Sequence, residues 1–372
     1  MSTVRVTPFH VRAADCNRDN RWTQRNRFTL AAAYDDAGAE AAAARIAVVM
    51  ADISWRWRVM LEGARARELV QRLFTRDVAA PQPGEALKAL WLADGGGVRG
   101  AGVVARYGRQ SFQLAAAAED AEWIGAAAAL YGVAMRDVTE EECGLALIGP
   151  YAGKLVTALG LDPLLEPLAF RKVFWRGLDL TVSRFGEHGG YEIWCGRDDA
   201  LLLWDRVLRA GGDFAIRPAG LDAQDILDIE AGVPRPGRDY EGAREASAAE
   251  PLAGELRLGK LIDPGHAGFN GAVAATGAAP RRQLVGLLLD TPTPAPFAPV
   301  LSNGRAVGRT LSSCHSPALD RAIALAQLDE AFAAPGTPLT VAVPGSRTLL
   351  PSVTAARVAD LPFLPPPDPI AS

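Results

Sequence analysis

The segment RFGEHGGYEIWCG, residues 184–196, ends in a stretch that alternates in the manner of a β-strand. Because side chains alternate between the two faces of a strand, Tyr191, Ile193 and Cys195 should face one side, and Glu192 and Trp194 the other. A carboxylate beside an indole suits a flat ligand that offers hydrogen-bond donors. Taken alone, however, a strand glutamate is more often solvated or ion-paired. The strand is therefore a candidate binding element.

The overall composition is that of an ordinary globular protein. The chain has 372 residues, of which 49% are hydrophobic and 22% charged, and a formal net charge of -4. This length predicts two or three domains with sizeable cores. A slightly acidic chain is a poor nucleic-acid binder, so we expect no nucleic-acid partner.

Targeting and cysteine patterns favour a cytoplasmic protein. The N-terminus has no continuous apolar core of the signal-peptide type, and no stretch approaches the roughly 18 apolar residues needed to span a bilayer. We therefore expect no membrane association. The four cysteines lie far apart in the sequence and form no CxxC pair. This predicts no metal site, no disulfide framework and a reduced cytoplasmic compartment.

The N-terminal half mixes helical and strand patterns. Four arginines in NRDNRWTQRNR are interpreted as a solvated basic loop, namely Arg18, Arg21, Arg25 and Arg27. A period of two predicts a strand over residues 47–62, and Leu69, Leu73 and Phe74 lie at helical spacing. The glycine-containing segment 91–117 predicts a pair of hairpins.

The middle of the chain predicts further helices, one of them after GPYAG near residue 150. In RDDALLLWDRVLRAGG, Asp198 or Asp199 can cap a helix that ends at Gly211 or Gly212. Its predicted buried stripe consists of Leu201, Trp204 and Leu208. The helix in GLDAQDILDIEAG should end at Gly232.

From about residue 282 onward, short strands with turns predict a small all-β barrel or sandwich. An Asn-Gly turn is expected at Asn303 and Gly304, and another turn at 344–346. The segment PFLPPPDP predicts a Pro-rich tail that leaves the fold. The whole chain is expected to be α+β, in several domains.

Five segments occur in an order that points to a known family. They are ADISWRWRVMLEG, ADGGGVRGAGVV, GEHGGYEIW, RPAGLDAQDILDIEAGVPRPGRDYEG and PVLSNGRAVGRTLSSCHSPALDRAIALAQL. Together they resemble the glycine-cleavage T-protein (aminomethyltransferase) family, which is related to folate-dependent demethylases. The resemblance implies a T-protein-like α+β multi-domain fold with a folate-binding central cavity. It implies two interleaved α+β domains over residues 1–280, a C-terminal β-barrel over 281–364 and a tail over 365–372.

The same resemblance implies a tetrahydrofolate site. A pterin ring offers a ring N–H and an amino group side by side, and a carboxylate accepts such a pair with two charge-assisted hydrogen bonds. The family uses the glutamate of its G-F-E-I strand for this purpose, and Glu192 matches it. Trp194, Gln224 and Trp91 lie in matched segments and are expected to bind the cofactor as well.

The chain also departs from the family pattern. Gly100 and Ala101 stand where the family has two acids after its glycines, and Ala117 stands where it has an asparagine. Gln224 replaces the family arginine, and Arg56 replaces the methionine of D-V-S-H-M. An alanine can neither accept a proton nor hold an ammonium group. The resemblance therefore implies a retained pterin site without the amine chemistry.

A tetrahydrofolate-dependent demethylase remains the leading function, with a small methylated compound as methyl donor. Methyl transfer needs donor and acceptor held in line, and a hydrogen-bond donor at the leaving oxygen helps. Arg56 suits a substrate carboxylate, and Trp57 belongs to a set of site-wall tryptophans that favours a flat substrate. A methoxylated aromatic acid is the favoured class.

The catalytic proton donor is not fixed by the sequence. Candidates for this role are Tyr240, His266 and Gln224, beside Arg56 and His188. A non-catalytic folate-binding protein is the alternative function. An aminomethyltransferase with relocated acids such as Asp94 ranks third. The oligomeric state is left open.

Overall fold

A computed structural model describes residues 5–78, 80–186, 188–242, 251–277, 279–290, 293–343 and 352–366. These residues form twenty strands and eight α-helices. The helices are α1 His10–Cys16, α2 Ala37–Ile46, α3 Ala66–Leu73, α4 Ala121–Leu130, α5 Ala152–Ala158, α6 Ala200–Ala210, α7 Leu221–Glu230 and α8 Ala272–Gly277.

The strands fall into three sheets and one barrel. They are β1 Arg5–Val6, β2 Trp22–Arg25, β3 Phe28–Ala31, β4 Val49–Asp52, β5 Trp57–Glu62, β6 Ala86–Leu92, β7 Val98–Arg106, β8 Ser111–Ala116, β9 Ala134–Asp137, β10 Glu142–Ile148, β11 Phe170–Trp175, β12 Leu178–Ser183, β13 Tyr191–Gly196, β14 Arg217–Ala219, β15 Arg282–Leu289, β16 Pro299–Ser302, β17 Arg305–Ser316, β18 Arg321–Asp329, β19 Pro338–Val343 and β20 Ser352–Ala359. The α+β prediction is confirmed.

Strand β13 lies inside a six-stranded sheet of order β11-β12-β13-β10-β4-β14. It pairs antiparallel with β10 and β12. Tyr191, Ile193 and Cys195 pack into one hydrophobic core, whereas Trp194 packs into a different core on the side of α2 and α7. The predicted alternation along this strand is confirmed.

The strand predicted over residues 47–62 is in fact two strands in two different sheets. Strand β4 belongs to the six-stranded sheet, and β5 belongs to a five-stranded sheet of order β6-β7-β8-β5-β9. A turn separates them, in which the Ser54 amide donates to Asp52 Oδ1 at 2.9 Å and the Arg56 amide donates to the Ile53 carbonyl at 3.1 Å. A local side-chain hydrogen bond of this kind interrupts a strand where hydrophobic periodicity continues.

The segment of the N-terminal arginines is a hairpin in its second half rather than a loop throughout, and Arg25 is partly buried, whereas Arg18, Arg21 and Arg27 are exposed as expected. Strands β2 and β3 form a hairpin whose turn residues Asn26 and Arg27 have positive φ angles. Arg25 donates two hydrogen bonds to Asp225, at 3.0 and 2.8 Å, and Arg27 Nη2 lies 2.9 Å from a Glu119 oxygen. The carboxylate partners lie far away in the sequence, which is why the local pattern missed them.

Helix α6 differs from its prediction in two details. Its N-cap residue Asp199 makes no side-chain capping bond, because its backbone is helical rather than extended. The buried face contains Leu203, Trp204 and Val207, while Leu201 and Leu208 are only partly buried. Trp204 of the predicted stripe is confirmed and Leu208 packs against the same core, whereas the buried Leu203 and Val207 were not predicted. Helices α3, α5 and α7, the strands β6 to β8 and the helix end near Gly232 agree with their predictions.

The C-terminal strands form a closed barrel of order β15-β18-β17-β16-β19-β20, so the expected barrel is confirmed. Asn303 and Gly304, both with positive φ, make the predicted turn between β16 and β17. The expected domain boundary at residues 280–281 falls between α8 and β15. The predicted turn at 344–346 and tail residues 367–372 lie outside the described residues. The first part of PFLPPPDP does not leave the fold as predicted: Phe363 packs against a core cluster, and the Pro365 carbonyl accepts a hydrogen bond from Arg45 Nη1 at 3.1 Å. Within the described part, no helix is long and apolar enough to cross a membrane.

Candidate functional site

A cavity of about 510 Å³ lies where several distant parts of the chain meet. Its volume falls within the range of about 300–1,000 Å³ that is typical of small-molecule sites. The wall comes from the β4–β5 turn, the five-stranded sheet, β13, the segment after α7, a loop before the barrel and the segment after β20. These contributions are Trp55 and Arg56; Lys88, 101–103 and 115–117; Phe185 and Glu192; 231–236; 256–258, 260 and 261; and 361–362.

Glu192 is the only carboxylate among the described residues that line this cavity. Its side chain is 3% exposed, and its Oε1 accepts a hydrogen bond from Arg56 Nη1 at 2.5 Å. Its Oε2 accepts from Trp194 Nε1 at 3.2 Å. A carboxylate has about four acceptor positions, so two of them remain for a ligand. Glu192 therefore fits a ligand that offers two neighbouring donors.

Trp194 holds this carboxylate rather than lining the cavity. Its ring lies against Gly144, where a Cβ would sit 2.5 Å from the indole. The Arg58 guanidinium stacks on the same ring, 3.7 Å from its centroid. Arg58 is fixed in turn by Gln113 Oε1 at 2.6 Å and Glu142 Oε2 at 2.5 Å. The indole is thus packed inside the protein, and its N–H orients the Glu192 carboxylate.

Two of the positions at which the chain departs from the family pattern line the apolar side of the cavity. Ala101 and Ala117 both belong to the wall, together with Gly102, Val103 and Ala115. This side of the wall consists of alanine, glycine and valine, so it presents no side chain that can bind an ammonium group or move a proton.

Trp91 lies underneath this wall and not in it. The ring is 1% exposed, its Nε1 donates to Asp120 Oδ2 at 2.9 Å, and it packs against Gly100. A Cβ at Gly100 would lie 2.1 Å from Trp91 Cζ2. The indole therefore fills the space that a side chain at Gly100 would need. Trp91 does not line the cavity, so its expected contact with the cofactor stays a prediction that this position does not favour.

Two arginines approach Trp55, which stands where the family has the histidine of D-V-S-H-M. The Arg25 and Arg235 guanidinium carbons lie 5.2 and 5.7 Å from its ring centroid. Trp55 lines the cavity and is 1% exposed, and its Nε1 has no hydrogen-bond partner among the described residues. The indole N–H is thus available to an acceptor.

Arg235 joins the cavity wall to a buried charge network. It forms an ion pair with Asp228, which also contacts His188 Nε2 at 3.0 Å. Burial alone would raise the pKa of Asp228, but the charges of Arg235 and His188 outweigh it and lower the pKa to about 2. The carboxylate is therefore ionised and holds Arg235 and His188 in place.

The three candidate catalytic residues do not line the cavity. Tyr240 is buried in a hydrophobic cluster, and burial, together with the charge of Asp239, raises the pKa of its hydroxyl. His266 Nε2 contacts the Gln71 carbonyl at 2.9 Å. Gln224 is buried in α7, and its Nε2 lies 3.5 Å from the Gly220 carbonyl. Their proposed roles stay predictions that the cavity geometry does not favour.

Trp57 and Asp94 also lie away from the cavity. Trp57 is buried in the core beside the five-stranded sheet, and its Nε1 lies 3.3 Å from Asp137 Oδ2. Asp94 is exposed in the turn between β6 and β7. Of the predicted site residues, the structure therefore brings Glu192 and Arg56 together at the cavity, with Trp194 directly behind them.

The cavity is rich in positive charge. Five cationic side chains belong to its wall, against the single carboxylate of Glu192; these are Arg56, Lys88, Arg235, Arg257 and Lys260. Such an excess favours a ligand or ligand pair that carries negative charge. In the sequence alone, nothing distinguishes Lys88, Arg235, Arg257 and Lys260 from other basic residues, because only the fold brings them to one cavity.

No group of histidine, cysteine, aspartate or glutamate side chains among the described residues could hold a metal ion. All four cysteines are free, although Cys143 and Cys195 face each other across β10 and β13 with their sulfur atoms 3.5 Å apart. This mutual contact and, to a smaller extent, burial raise the pKa of the Cys143 thiol. The pair behaves as part of the hydrophobic core.

Comparison with known proteins gives matches along nearly the whole chain. Residues 10–250 match the family model described as the GCVT N-terminal domain. Residues 282–364 match the model of the glycine cleavage T-protein C-terminal barrel domain. Together these two matches cover more than half of the chain.

Individual relatives agree with the family models. An aminomethyltransferase of Symbiobacterium thermophilum is 31% identical over 345 residues, which is 89% of this chain and 90% of that protein. An aminomethyltransferase of Chlorobium limicola is 30% identical, over 84% of this chain and 88% of that protein. The crystal structure of glycine cleavage system aminomethyltransferase T from Bartonella henselae has a TM-score of 0.86 at 22% identity, covering 98% of this chain and 99% of that one. This last likeness concerns the fold.

Proposed function

The chain belongs to the glycine-cleavage T-protein family, and on this premise we propose that it is a tetrahydrofolate-dependent one-carbon transferase. More specifically, we propose a demethylase that takes a methyl group from a small methylated compound. The single observation that carries the proposal is the composition of the cavity wall. One buried carboxylate, Glu192, is retained in it, whereas Ala101 and Ala117 replace the polar residues that amine chemistry requires.

The residues present fit a bound folate. Glu192 lines the cavity and keeps two acceptor positions for a ring N–H and its neighbouring amino group. Trp194 Nε1 fixes the orientation of the carboxylate from behind. When bound, tetrahydrofolate supplies the N5 nitrogen that accepts the methyl group.

The remaining wall prepares the site for transfer of an uncharged group. The side chains of Ala101, Val103, Ala115 and Ala117 exclude water and offer an apolar surface to a methyl or aromatic group. Holding two reactants in this way contributes to the rate through proximity alone, by about 7–11 kcal/mol in favourable cases. Cationic side chains at Arg56 and Arg235 stabilise negative charge that develops on a leaving oxygen.

The favoured substrate class is a methoxylated aromatic acid. The aromatic ring suits the apolar wall, and the carboxylate suits the cationic excess of the cavity. Aminomethyl transfer is the second candidate, because the relatives above are named aminomethyltransferases. It requires a group that holds an ammonium ion, and Glu192 is the sole carboxylate of the described wall.

The test begins with calorimetric titration of the purified protein with tetrahydrofolate. The protein is then incubated with tetrahydrofolate and a panel of methoxybenzoates, and 5-methyltetrahydrofolate is sought by mass spectrometry. We expect binding and methyl transfer. The Glu192→Gln variant keeps the side-chain shape but loses the charge, so tetrahydrofolate should bind at least about tenfold more weakly.

The controls separate the alternatives. Glu62→Gln changes an exposed strand glutamate outside the cavity and should leave folate affinity unchanged. Turnover with a lipoylated carrier protein in place of the methoxybenzoates would establish aminomethyl transfer instead. Binding without transfer to any donor would indicate a non-catalytic folate-binding protein. The absence of tetrahydrofolate binding would overturn the proposal.

A further inference from the structure

Trp55 carries a buried hydrogen-bond donor to which the described protein offers no acceptor. The residue is 1% exposed, and its Nε1 has no hydrogen-bond partner among the described residues. A buried polar group without a partner is rare, because it has lost its hydrogen bond to water and gained none in exchange. Trp55 also lines the cavity, so a bound ligand is in a position to supply the missing acceptor.

A second unsatisfied donor lies close to this indole. Arg235 Nη1 is buried and makes no hydrogen bond within the described part of the chain, although it lies 3.5 Å from Asp225 Oδ1. The Nη2 atom forms an ion pair with Asp228, and the guanidinium carbon lies 5.7 Å from the Trp55 ring centroid. Both Trp55 and Arg235 belong to the cavity wall. The wall therefore holds two neighbouring donors, one of which is charged.

Two such donors select an acceptor that carries negative charge. An indole N–H only donates, and a guanidinium does not give up its proton in proteins. The Arg25 guanidinium carbon, 5.2 Å from the same ring centroid, adds further positive charge. An anionic oxygen therefore gains charge-assisted hydrogen bonds here, whereas an ammonium group is repelled. The family pattern has a histidine where this chain has Trp55, and an indole cannot exchange a proton as an imidazole does.

We propose that Trp55 Nε1 and Arg235 Nη1 bind the leaving oxygen of the methyl donor and stabilise it as a phenolate, without protonating it. The inference rests on the proposed function and names the residues that stabilise charge in its chemical step. As the bond between the methyl carbon and the ether oxygen breaks, its electron pair stays on the oxygen, and the carbon forms a bond to N5 of the folate. The proton that N5 loses goes to solvent, and the phenolate leaves as an anion.

This assignment makes Trp55 a catalytic residue, and it removes the need for a proton donor in the wall. The candidates for that role, Tyr240, His266 and Gln224, all lie outside the cavity. A phenolate that is held by two donors and by positive charge can leave without first receiving a proton.

The experiment titrates the purified protein with 4-nitrophenol, whose ionised form absorbs visible light, over a range of pH and without tetrahydrofolate. In the wild-type protein, the bound phenol should ionise at a proton concentration at least about tenfold higher than the free phenol does, because the site favours the anion. Trp55→Phe keeps an aromatic ring but removes the N–H. In this variant the phenolate should bind at least about tenfold more weakly.

The matched control is Trp123→Phe. Trp123 lies on α4, where it packs against the core beside the five-stranded sheet and does not line the cavity. The same change at this position should leave phenolate binding unaltered. Calorimetric titration with tetrahydrofolate should give the wild-type affinity for both variants, because neither substitution touches Glu192.

Several outcomes of the titration would overturn the inference while leaving the proposed function standing, provided that the wild-type protein binds tetrahydrofolate. These are failure of the wild-type protein to bind 4-nitrophenol, unchanged ionisation of the bound phenol, and equal phenolate affinity in Trp55→Phe and the wild type. Equal losses of phenolate and tetrahydrofolate affinity in Trp55→Phe would also overturn it, since the change would then disturb the cavity as a whole. Failure of the wild-type protein to bind tetrahydrofolate overturns the proposed function and, with it, the inference.

Discussion

At the scale of single residues, the cavity is built on a few close contacts that leave no room for larger side chains. Glu192 receives Arg56 and Trp194, and Trp194 can reach it only because residue 144 is a glycine. In the same way, the packing of Trp91 requires glycine at position 100. Two of the tryptophans in the family-like segments, Trp91 and Trp194, therefore act through packing, and neither lines the cavity.

Gly100→Ala should destabilise the protein, because the new Cβ would lie 2.1 Å from Trp91 Cζ2. Overpacking of this kind costs about 1–3 kcal/mol of unfolding free energy, measured by urea denaturation. Gly95→Ala is the matched control, since a Cβ at Gly95 would have no atom within 4 Å and the φ angle there is ordinary. Equal losses in the two variants would contradict the role of Trp91.

At the scale of elements, strand β7 separates the core from the cavity. Val104 is buried and packs into the core beneath the five-stranded sheet, whereas its neighbour Val103 lines the cavity. The alternation of a strand places these two identical side chains on opposite faces. One face therefore belongs to the hydrophobic core and the other to the cavity wall.

The same substitution should lower the unfolding free energy at Val104 and weaken ligand binding at Val103. Val104→Ala removes buried methyl groups and should lower the unfolding free energy by about 2 kcal/mol in urea denaturation. Val103→Ala should cost less than about 1 kcal/mol, because the side chain is only partly buried. It should instead weaken the binding of 4-methoxybenzoate, measured by calorimetry. A loss of stability at Val103 as large as that at Val104 would refute this assignment of faces.

At the scale of the whole molecule, the barrel is joined to the rest of the protein through Glu230. This buried residue at the end of α7 accepts hydrogen bonds from Arg45 of α2 at 3.1 and 2.5 Å and from Ser316 of the barrel at 2.5 Å. The chain after the barrel returns to this point, where Leu361 and Pro362 complete the cavity wall. The cavity thus depends on the position of the barrel.

Glu230→Ala should be strongly destabilising, because it leaves Arg45 without its buried partner. Breaking a buried ion pair in this way costs about 3–5 kcal/mol, which urea denaturation followed by circular dichroism will measure. Glu68→Ala is the control, since it breaks the exposed Arg65–Glu68 pair and should cost at most about 1 kcal/mol. Similar costs for the two changes would show that Glu230 does not join the barrel to α2 and α7.

The sequence by itself determined the features that local periodicity and turn chemistry control. The two faces of β13, the helix α7 that ends before Gly232, and the barrel turn at Asn303 follow from patterns within about ten residues. The importance of Glu192 also came from the sequence, through its place in a family-like segment. Where a local interaction competed with periodicity, as Asp52 did with the strand over 47–62, the pattern failed.

Only the tertiary structure decided which of these residues form one site. Packing between distant segments brings Arg56 into contact with Glu192. It also places Trp91 beneath the cavity wall and Tyr240 outside the cavity. No local pattern records such contacts, because they are fixed by long-range burial and charge pairing. The sequence thus supplied the carboxylate and the alanines, and the fold determined that they face the same cavity.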